Sequence, residues 1–549
     1  MSARLRLSRL AAAATGLVLL ASAAACSSSG DAAGGAAPAA GNPVSGGEVT
    51  YLVDQTQLTL DPGVSPTTVT GLIGRTIFDS LVVQSGPTEF KPWLATKWDL
   101  SADGREYTFT LKSGVKFTDG TPFDAAAVKA TLEHIVDPAT KSQYAASLIA
   151  PFESATVVDP STVKVTLKQS FRPFLQALST PYLGIQSPKA LALPAAEYKP
   201  VGTGPFSFVS WEQQKDVTLT RNPDYTSAPP NASHTGPAYL QTLKFNYVPE
   251  DATRYGALTS GQVQGTASVP PNRIGSLQSN DKFRVLKTEL PGVNYNLYLN
   301  TKNGPTSDPL VRQALQAAVD IPALVNTVYA GQYTAARNAI SPTTPDYDKA
   351  AESSLQAFDV EKAKSLLDQA GWTATNADGI RTKDGQELKL SWPFLALINR
   401  DQRDVLGQAI QAEAKKVGIN IDRPNLDAGT YGDSVLKGNY QILDASNTRA
   451  DADILRFSFA SDQTFAQGGA NVSQSSSPEL DGWLNEGART TDAAVAARDY
   501  AQAQAEVLKN GYLLPGYVMT TFVGVSSALQ GVSFDTQGIA QFYGAWLAK

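Results

Sequence analysis

The stretch that decides the fold is residues 98–124, which read WDLSADGREYTFTLKSGVKFTDGTPFD. Apolar and polar residues alternate over 107–111, the period of two that is typical of a half-buried strand. Asp103-Gly104 and Asp119-Gly120 are turn pairs, because both residue types tolerate the positive φ of a tight turn. The apolar face resumes over 115–117, which predicts a second strand between the two turns.

A helix is predicted directly after this stretch. Asp124 can cap it, and its apolar residues Val128, Leu132 and Ile135 are spaced by four and three. Asp137-Pro138 ends the helix, since the residue before a proline avoids the α region. The local order is therefore strand, turn, strand, helix.

This segment resembles the signature of the family 5 extracellular solute-binding proteins, the peptide/nickel class of ABC importers. The matching pattern S-x-D-G-x-x-Y-T-F-x-L-K-x-G-V-K-F-x-D-G-T-P-x-x-A-x-x-V runs without gaps from Ser101 to Val128. Further blocks that resemble the family are Leu60-Asp61-Pro62, Asp79–Val82, Gly202–Phe206, Arg221–Tyr225 and Val311–Asp320. The resemblance covers about residues 48–530. It implies an α/β, two-lobed type II periplasmic-binding-protein fold with mixed sheets and an extra small domain.

Periodicity predicts further elements along the chain. The expected strands are Glu48–Val53, a hairpin over Thr156–Leu167, Leu243–Val248, Val293–Asn300 and Val518–Val525. The expected helices are Gly71–Leu81, one capped by Asp308, Asp359–Ala370, Arg403–Val417 and Thr491–Lys509. We interpret the glycines at 202 and 204 as turn residues beside a strand rather than as ligand contacts.

The resemblance also implies a division of the chain. We expect a signal peptide at 1–25, a flexible tether at 26–47, lobe one at 48–290 with the extra small domain at about 81–199, lobe two at 291–517, and a C-terminal return to lobe one at 518–549. Crossings near Leu290–Asn294 and Pro515–Val518 would form the hinge. The solute would then bind between the lobes.

The N-terminus predicts export and a lipid anchor. Within residues 1–25, three arginines and no acidic residue accompany the short apolar run Leu10–Leu20. Small residues directly before Cys26 resemble a bacterial lipobox, which would make Cys26 the lipidated N-terminus. Cys26 is the only cysteine, so no disulfide forms within one chain. We expect a lipoprotein on the outer face of the cytoplasmic membrane.

Composition limits the partners. The net charge of −6 becomes −9 without the three arginines of the signal peptide, which argues against a nucleic-acid partner. The expected partners are a small solute, ABC transporter permease subunits, and the membrane through the lipid on Cys26. We expect a monomer without cofactor or metal.

An enzyme is the alternative to a binding protein. The two histidines, His134 and His234, lie in a helix end and a polar loop and are expected at the surface. Ser113-x-x-Lys116 and Ser161-x-x-Lys164 match the SxxK of penicillin-recognising hydrolases, but both fall in strand contexts, where Ser and Lys do not share a helix face. A secreted hydrolase is therefore the disfavoured reading.

The solute site departs from the pattern of peptide-binding relatives. Their W-x-x-D-x-x-D-P-D segment supplies a Trp wall and an Asp that pairs with the amino terminus of a peptide. Alignment on Asp451 and Asp453 puts Ala445 at the Trp and Thr448 at that Asp. Ordinary peptides are therefore expected to bind poorly, and an oligosaccharide, a metal chelate or another small organic molecule remains open.

The candidate solute-binding residues are Trp392, Arg400, Asn447, Thr448, Arg449 and Asp451. Arg400 lies in the region where peptide-binding relatives place a carboxylate-binding Arg. Arg449 faces the cleft and holds an anionic group, or else lies on the surface. Asp453 is expected to cap a helix at 454–460, and Trp392 either lines the pocket or belongs to the core.

Overall fold

The computed structural model describes residues 41–57, 59–396 and 399–548 of the 549-residue chain. The predicted signal peptide, Cys26 and most of the tether lie outside these residues. No helix in the described ranges is both long and apolar enough to cross a lipid bilayer.

The strands are β1 (Glu48–Val53), β2 (Val82–Gln84), β3 (Phe90–Pro92), β4 (Ala95–Leu100), β5 (Glu106–Leu111), β6 (Phe152–Asp159), β7 (Thr162–Leu167), β8 (Phe206–Glu212), β9 (Asp216–Arg221), β10 (Thr242–Tyr247), β11 (Gly265–Thr266), β12 (Phe283–Glu289), β13 (Gly292–Leu299), β14 (Ala374–Thr375), β15 (Arg381–Lys383), β16 (Gln386–Glu387), β17 (Lys389–Ser391), β18 (Asn420–Asp422), β19 (Ile442–Thr448), β20 (Leu513–Tyr517), β21 (Thr520–Ser526), β22 (Leu529–Gln530), β23 (Ser533–Phe534), β24 (Ala540–Gln541) and β25 (Trp546–Leu547).

The α-helices are α1 (Thr68–Ile77), α2 (Ala125–Val136), α3 (Ala145–Leu148), α4 (Phe174–Ser179), α5 (Pro188–Leu191), α6 (Asp251–Thr259), α7 (Pro271–Gln278), α8 (Pro309–Ala318), α9 (Ile321–Val328), α10 (Val360–Gln369), α11 (Arg403–Lys415), α12 (Ala428–Lys437), α13 (Ile454–Phe459), α14 (Pro478–Arg489) and α15 (Ala493–Lys509).

The large sheet has the strand order β12-β21-β11-β1-β10-β9-β8. Strand β1 lies parallel to β10 and β11, and the other pairs are antiparallel. Val49, Tyr51 and Val53 of β1 are buried in a core that α1 shares. The sheet is mixed, and the carboxyl ends of its parallel strands β1, β10 and β11 lie at the same edge.

The small sheet has the order β19-β13-β20, with both pairs antiparallel. All eight residues of β13 are buried. Tyr295 and Leu297 pack into a cluster with α8, α10 and α11, whereas Val293 and Tyr298 pack into one with α14 and α15. The predicted alternation therefore holds from Tyr295 to Leu299, whereas an irregularity between Val293 and Asn296 moves Val293 to the other cluster. Both faces of the strand are covered.

The side sheet, β4-β5-β7-β6, contains the first half of the 98–124 stretch, in β4 and β5. Tyr107, Phe109 and Leu111 of β5 are buried, as their alternation predicts. Helix α2 packs on this sheet, and the carboxylate of its N-cap residue, Asp124, accepts a hydrogen bond from the backbone N–H of Ala127 at 3.1 Å.

The chain passes between the large and small sheets through two short connections. It leaves the large sheet at Glu289 and enters the small sheet at Gly292. It leaves the small sheet at Tyr517 and re-enters the large sheet at Thr520. Most of the crossing expected near Pro515–Val518 lies in β20, which ends at Tyr517.

Two predictions for the first half of the chain are wrong. No strand forms over 115–117; Phe117 N–H donates to Thr121 O at 2.9 Å, so the Asp119-Gly120 turn closes at once, and one isolated bridge joins Lys116 to Pro122. The helix expected at Gly71–Leu81 is α1, which starts earlier because the Thr67 hydroxyl caps it.

The end of α1 is set by a long-range contact. The carbonyl of Ile77 accepts a hydrogen bond from Gly204 N–H at 2.8 Å instead of continuing the helix. A Cβ at Gly202 would lie 2.1 Å from the same carbonyl oxygen. The backbone of Ile77 packs directly against residues 202 and 204, which leaves room only for glycine. This packing agrees with the interpretation that these glycines are structural rather than ligand contacts.

Candidate functional site

Two adjoining cavities lie between the large and small sheets. The Asp54 cavity has a volume of about 180 Å³ and is lined by Asp54, Ser268 and Tyr333, among others. The Tyr144 cavity has a volume of about 300 Å³ and is lined by Tyr144, Tyr182 and Asn447, among others. Both cavities share Thr68, Leu290, Arg400, Thr448, Met519, Thr521, Gly538 and Ile539. The shared residues make the two cavities parts of one cleft.

The large-sheet wall of the cleft is made where strands end. Asp54 directly follows β1, and Ser268 comes two residues after β11. Because ligands of open α/β sheets bind outside the carboxyl ends of the strands, this edge is the expected place for a site.

The small-sheet wall is the end of β19. Ser446, Asn447 and Thr448 line the Tyr144 cavity, and Thr448 pairs with Gly292 of β13. Gly292 has φ +104°, and a Cβ there would lie 2.2 Å from Asn447 O, so only glycine fits against this wall. The structure thus brings Asn447 and Thr448 to the cleft, where the sequence analysis placed them.

Arg400 lines both cavities and is exposed, which leaves its guanidinium accessible to a solute. Its Nε lies 3.9 Å from Asp401 Oδ2. Asp401 and Gln402 have φ values of +53° and +54°, a left-handed conformation that side chains disfavour and that is common at ligand sites.

Arg403 is a buried cation next to the cleft that sequence reasoning treated only as the start of a helix. Its Nε donates to the hydroxyl of Tyr517 at 3.0 Å, and Nη2 donates to Ser446 Oγ at 3.2 Å. Burial lowers the pKa of Arg403, but Tyr517 and Asp401 raise that pKa by more, so it lies above its ordinary value. Arg403 therefore stays charged and fixes one residue of the small-sheet wall.

Arg449 and Asp451 form a buried ion pair that lines neither cavity. Arg449 Nε donates to Asp451 Oδ2 at 2.8 Å, and Nη2 donates to Asp453 Oδ2 at 3.1 Å. Burial lowers the pKa of Arg449, but the two carboxylates raise it by more. Arg449 therefore neither faces the cleft nor lies at the surface, because Asp451 and Asp453 hold it in the interior.

Asp453 does not cap a helix with its side chain, contrary to the expectation. Both of its carboxylate oxygens accept from guanidinium groups: Oδ2 from Arg449, and both oxygens from Arg456, at 2.7 and 3.0 Å. Its backbone N–H instead donates to Asp451 Oδ1 at 2.9 Å. Asp451 and Asp453 are therefore part of a buried cluster of charges with Arg449 and Arg456.

Trp392 lies outside both cavities, in the core. Its Nε1 donates to Asp444 Oδ1 at 2.7 Å, and the guanidinium of Arg423 lies 4.3 Å from its ring centre. This placement corresponds to the core alternative for Trp392.

Tyr144 and Tyr182 were missed from the sequence. Their rings meet edge to face with centroids 5.0 Å apart, and the Tyr182 hydroxyl donates to Thr67 O at 3.1 Å. They bring residues of the side-sheet region to the cleft. Nothing in their local sequence marks them, since an isolated tyrosine is common in any core.

The residues considered for catalysis are used otherwise. Ser161 Oγ donates to Asp159, and Lys164 Nζ in β7 donates to Glu106. His134 and His234 are half-buried rather than at the surface; His134 Nε2 lies 2.7 Å from Asp61 Oδ2. Over the described ranges, no three His, Cys, Asp or Glu side chains come together as metal ligands.

A cleft between two sheets that are joined by two short crossings suits a protein that binds a solute. The model of the bacterial extracellular solute-binding proteins, family 5 Middle, matches residues 89–469, and the chain belongs to this family.

Similar proteins agree with this assignment. Glutathione-binding protein GsiB of Escherichia coli O1:K1 / APEC is 29% identical over 469 residues, which cover 83% of this chain and 86% of GsiB. DppA from Helicobacter pylori, a periplasmic binding protein in complex with the peptide STSA, is 26% identical with a TM-score of 0.76, covering 92% of this chain and 99% of DppA. NikA from Brucella suis, in complex with Fe(III)-EDTA, is 24% identical with a TM-score of 0.80, covering 91% and 100%. The fold is the type II periplasmic-binding-protein fold, as the sequence predicts.

Proposed function

We propose that this protein captures one small polar organic solute in the cleft and delivers it to the permease of an ABC-type importer. The observation that carries the proposal is a cleft whose opposite walls are built by the large and small sheets. The similar proteins include a glutathione-binding protein and a periplasmic binding protein in complex with a peptide, which supports transport rather than catalysis. No cofactor is needed for such a role.

The proposed lobes follow from the same cleft. Lobe one comprises 48–290 and 518–549 with the small domain at about 81–199, and lobe two comprises 291–517. The connections Glu289–Gly292 and Tyr517–Thr520 would be the hinge, which lets the lobes close over a solute. A monomer suffices for this cycle.

The solute carries an acidic group that Arg400 binds. Arg400 lines both cavities, whereas Arg449 is already neutralised by two carboxylates. Among the described residues, no acidic side chain lines the Tyr144 cavity. The hydroxyl and amide side chains there suit a polar organic ligand. A peptide that places its free amino terminus at Thr448 finds no carboxylate at that position and is bound weakly.

The proposed location of the protein is extracytoplasmic. The n-region, the apolar run Leu10–Leu20 and Cys26 support a lipid-anchored protein on the outer face of the cytoplasmic membrane.

Four measurements test the proposal. Mass spectrometry of the purified protein should find a co-purified polar solute, and calorimetry with that solute should show saturable heat without turnover. At saturation, small-angle scattering should show a more compact molecule, and thermal unfolding should show a raised melting temperature. Conversion of the solute to a product, or an unchanged scattering profile, would contradict this function.

A further inference from the structure

Asp54 occupies a position at which the topology itself places ligand groups. β1 lies between the parallel strands β10 and β11, and the chain passes from β10 through α6 to β11 on the other side of β1. Such a switch in strand order opens a crevice at the carboxyl ends of the strands. Asp54 is the first residue after β1 and lines the Asp54 cavity at this point.

Ser268 holds the Asp54 carboxylate in place. Its Oγ donates to Asp54 Oδ2 at 2.8 Å. Ser268 has φ +53°, a left-handed conformation that is unfavourable for a residue with a side chain and that clusters at ligand sites. The fold therefore tolerates local strain at a residue whose hydroxyl is aimed at Asp54.

The second carboxylate oxygen of Asp54 is available. Within the described chain, Oδ1 accepts no hydrogen bond and Asp54 forms no ion pair. The nearby buried Arg254 donates instead to Asp251 and to the carbonyls of Val248, Pro249 and, at 3.4 Å, Ser268. An ionised carboxylate that lines a cavity in this way needs donors from water or from a solute.

Two other polar residues of the cleft, Asp401 and Thr448, do not provide a free negative charge for a solute. Asp401 lies 3.9 Å from the guanidinium nitrogens of both Arg400 and Arg403, so two cations already face it. Thr448 brings no charge. Within the described residues, Asp54 is thus the carboxylate of the Asp54 cavity that forms no ion pair.

We infer that Asp54 binds a cationic group of the solute, an ammonium or a guanidinium, and that the cleft selects dipolar solutes. The solute's acidic group lies at Arg400 and its cationic group enters the Asp54 cavity, on the large sheet rather than at Thr448. This inference rests on the proposed function. A cation that loses its water in a closed cleft requires a carboxylate in contact with it.

The test uses the full-length protein, stripped of solute, and a panel of three classes. Glutathione, 6-aminohexanoate and 4-guanidinobutyrate are dipolar, N-acetyl-6-aminohexanoate and glutarate are anionic only, and maltose is neutral. Melting temperatures identify the binders, and calorimetry gives their affinities. Wild type should bind at least one dipolar solute, and it should bind the anionic and neutral solutes at least tenfold more weakly.

Variants locate the effect. Asp54→Asn keeps the shape and should lose roughly ten- to a hundredfold in affinity for the dipolar binder. Asp99→Asn, on the exposed strand β4, should bind as wild type does. Ser268→Gly should lower that affinity several-fold while the solute-free melting temperature stays equal or rises, because glycine accepts positive φ without strain. A merely structural Ser268 would give the same affinity.

Each remaining outcome decides one of the two claims. Unchanged affinity in Asp54→Asn, or anionic or neutral solutes that bind as tightly as dipolar ones, would overturn the inference and leave the proposed function standing. If no class binds and no solute co-purifies, the proposed function fails together with it.

Discussion

Arg172 and Asp346, 174 positions apart, form an ion pair with Arg172 Nη1 2.7 Å from Asp346 Oδ2. Arg172 lies between β7 and α4, and Asp346 lies between α9 and α10. Arg172 N–H also donates to Ala488 O at 2.9 Å, and Gln84 Nε2 donates to Ala450 O at 3.0 Å. These bonds join the two proposed lobes outside the cleft.

Arg172→Gln should therefore weaken solute binding without touching the solute. A closed state that loses a partly buried, charge-assisted hydrogen bond is less favoured, and we expect roughly a three- to tenfold loss of affinity. Lys164→Gln removes a pair of similar geometry inside the side sheet, Lys164 Nζ to Glu106 Oε1 at 3.0 Å, and should leave affinity unchanged. Calorimetry with the co-purified solute measures both; equal affinities in the two variants would show that the pair does not couple to closure.

Asp79 should make stability depend on pH. Burial raises the pKa of the Asp79 carboxyl from 3.8 to about 6, although Ser227, Thr203 and Tyr225 donate hydrogen bonds to it. Between these two values the folded state binds the proton more tightly than the unfolded state does. The free energy of unfolding therefore falls as the pH rises from about 4 to about 6, by on the order of 3 kcal/mol from this group.

The comparison that isolates this effect is with Asp79→Asn, which cannot titrate. Urea denaturation from pH 4 to pH 7 should show wild type losing stability relative to the variant as the pH rises. A difference that stays constant over this range would refute the assignment of the raised pKa.

Gly202→Ala should unfold or strongly destabilise the protein. The added Cβ would lie 2.1 Å from the Ile77 carbonyl oxygen. Because both atoms are fixed to the backbone, no side-chain rotation can remove the clash. Gly256→Ala is the matched control, because a Cβ there meets nothing within 4 Å and the residue lies in α6; it should stabilise by up to about 1 kcal/mol. Thermal unfolding compares them, and a Gly202→Ala protein that melts with wild type would exclude the close approach.

The elements that could be predicted are those whose causes are local. β5 follows from its own alternation, and α2 from Asp124 and its apolar spacing. The end of α1 could not be predicted, because it depends on Gly204 reaching Ile77 across more than a hundred residues.

The site divides in the same way. Arg400, Asn447 and Thr448 line the cleft. Their place could be predicted because they lie at known positions relative to a family motif. Arg449 was misplaced, because its two carboxylate partners can be recognised only when their side chains are seen together. Asp54 was missed, since its role depends on the strand order β11-β1-β10, which no local pattern encodes.

Cys26→Ala should release the protein from the membrane. The prediction rests on the small residues before Cys26 and on the preceding apolar run. Membrane and soluble fractions of producing cells, probed with an antibody, measure it. If the variant is retained and processed as wild type is, the anchor is not at this cysteine.

Arg400 and Arg449 should separate binding from stability. Arg449→Met leaves the buried Asp451 carboxylate without a cation, whereas Asp453 keeps Arg456, so we expect a loss of about 3–5 kcal/mol in the free energy of unfolding. Arg400→Met changes an exposed residue and should shift stability by about 0.5 kcal/mol or less. Its solute affinity should instead fall at least tenfold, because a charge-assisted bond to the acidic group of the solute is lost. Urea denaturation and calorimetry on both variants give the two readouts. The converse pattern, with Arg400→Met unstable and Arg449→Met folded but unable to bind, would show that Arg449 contacts the solute and that the buried cluster opens in solution.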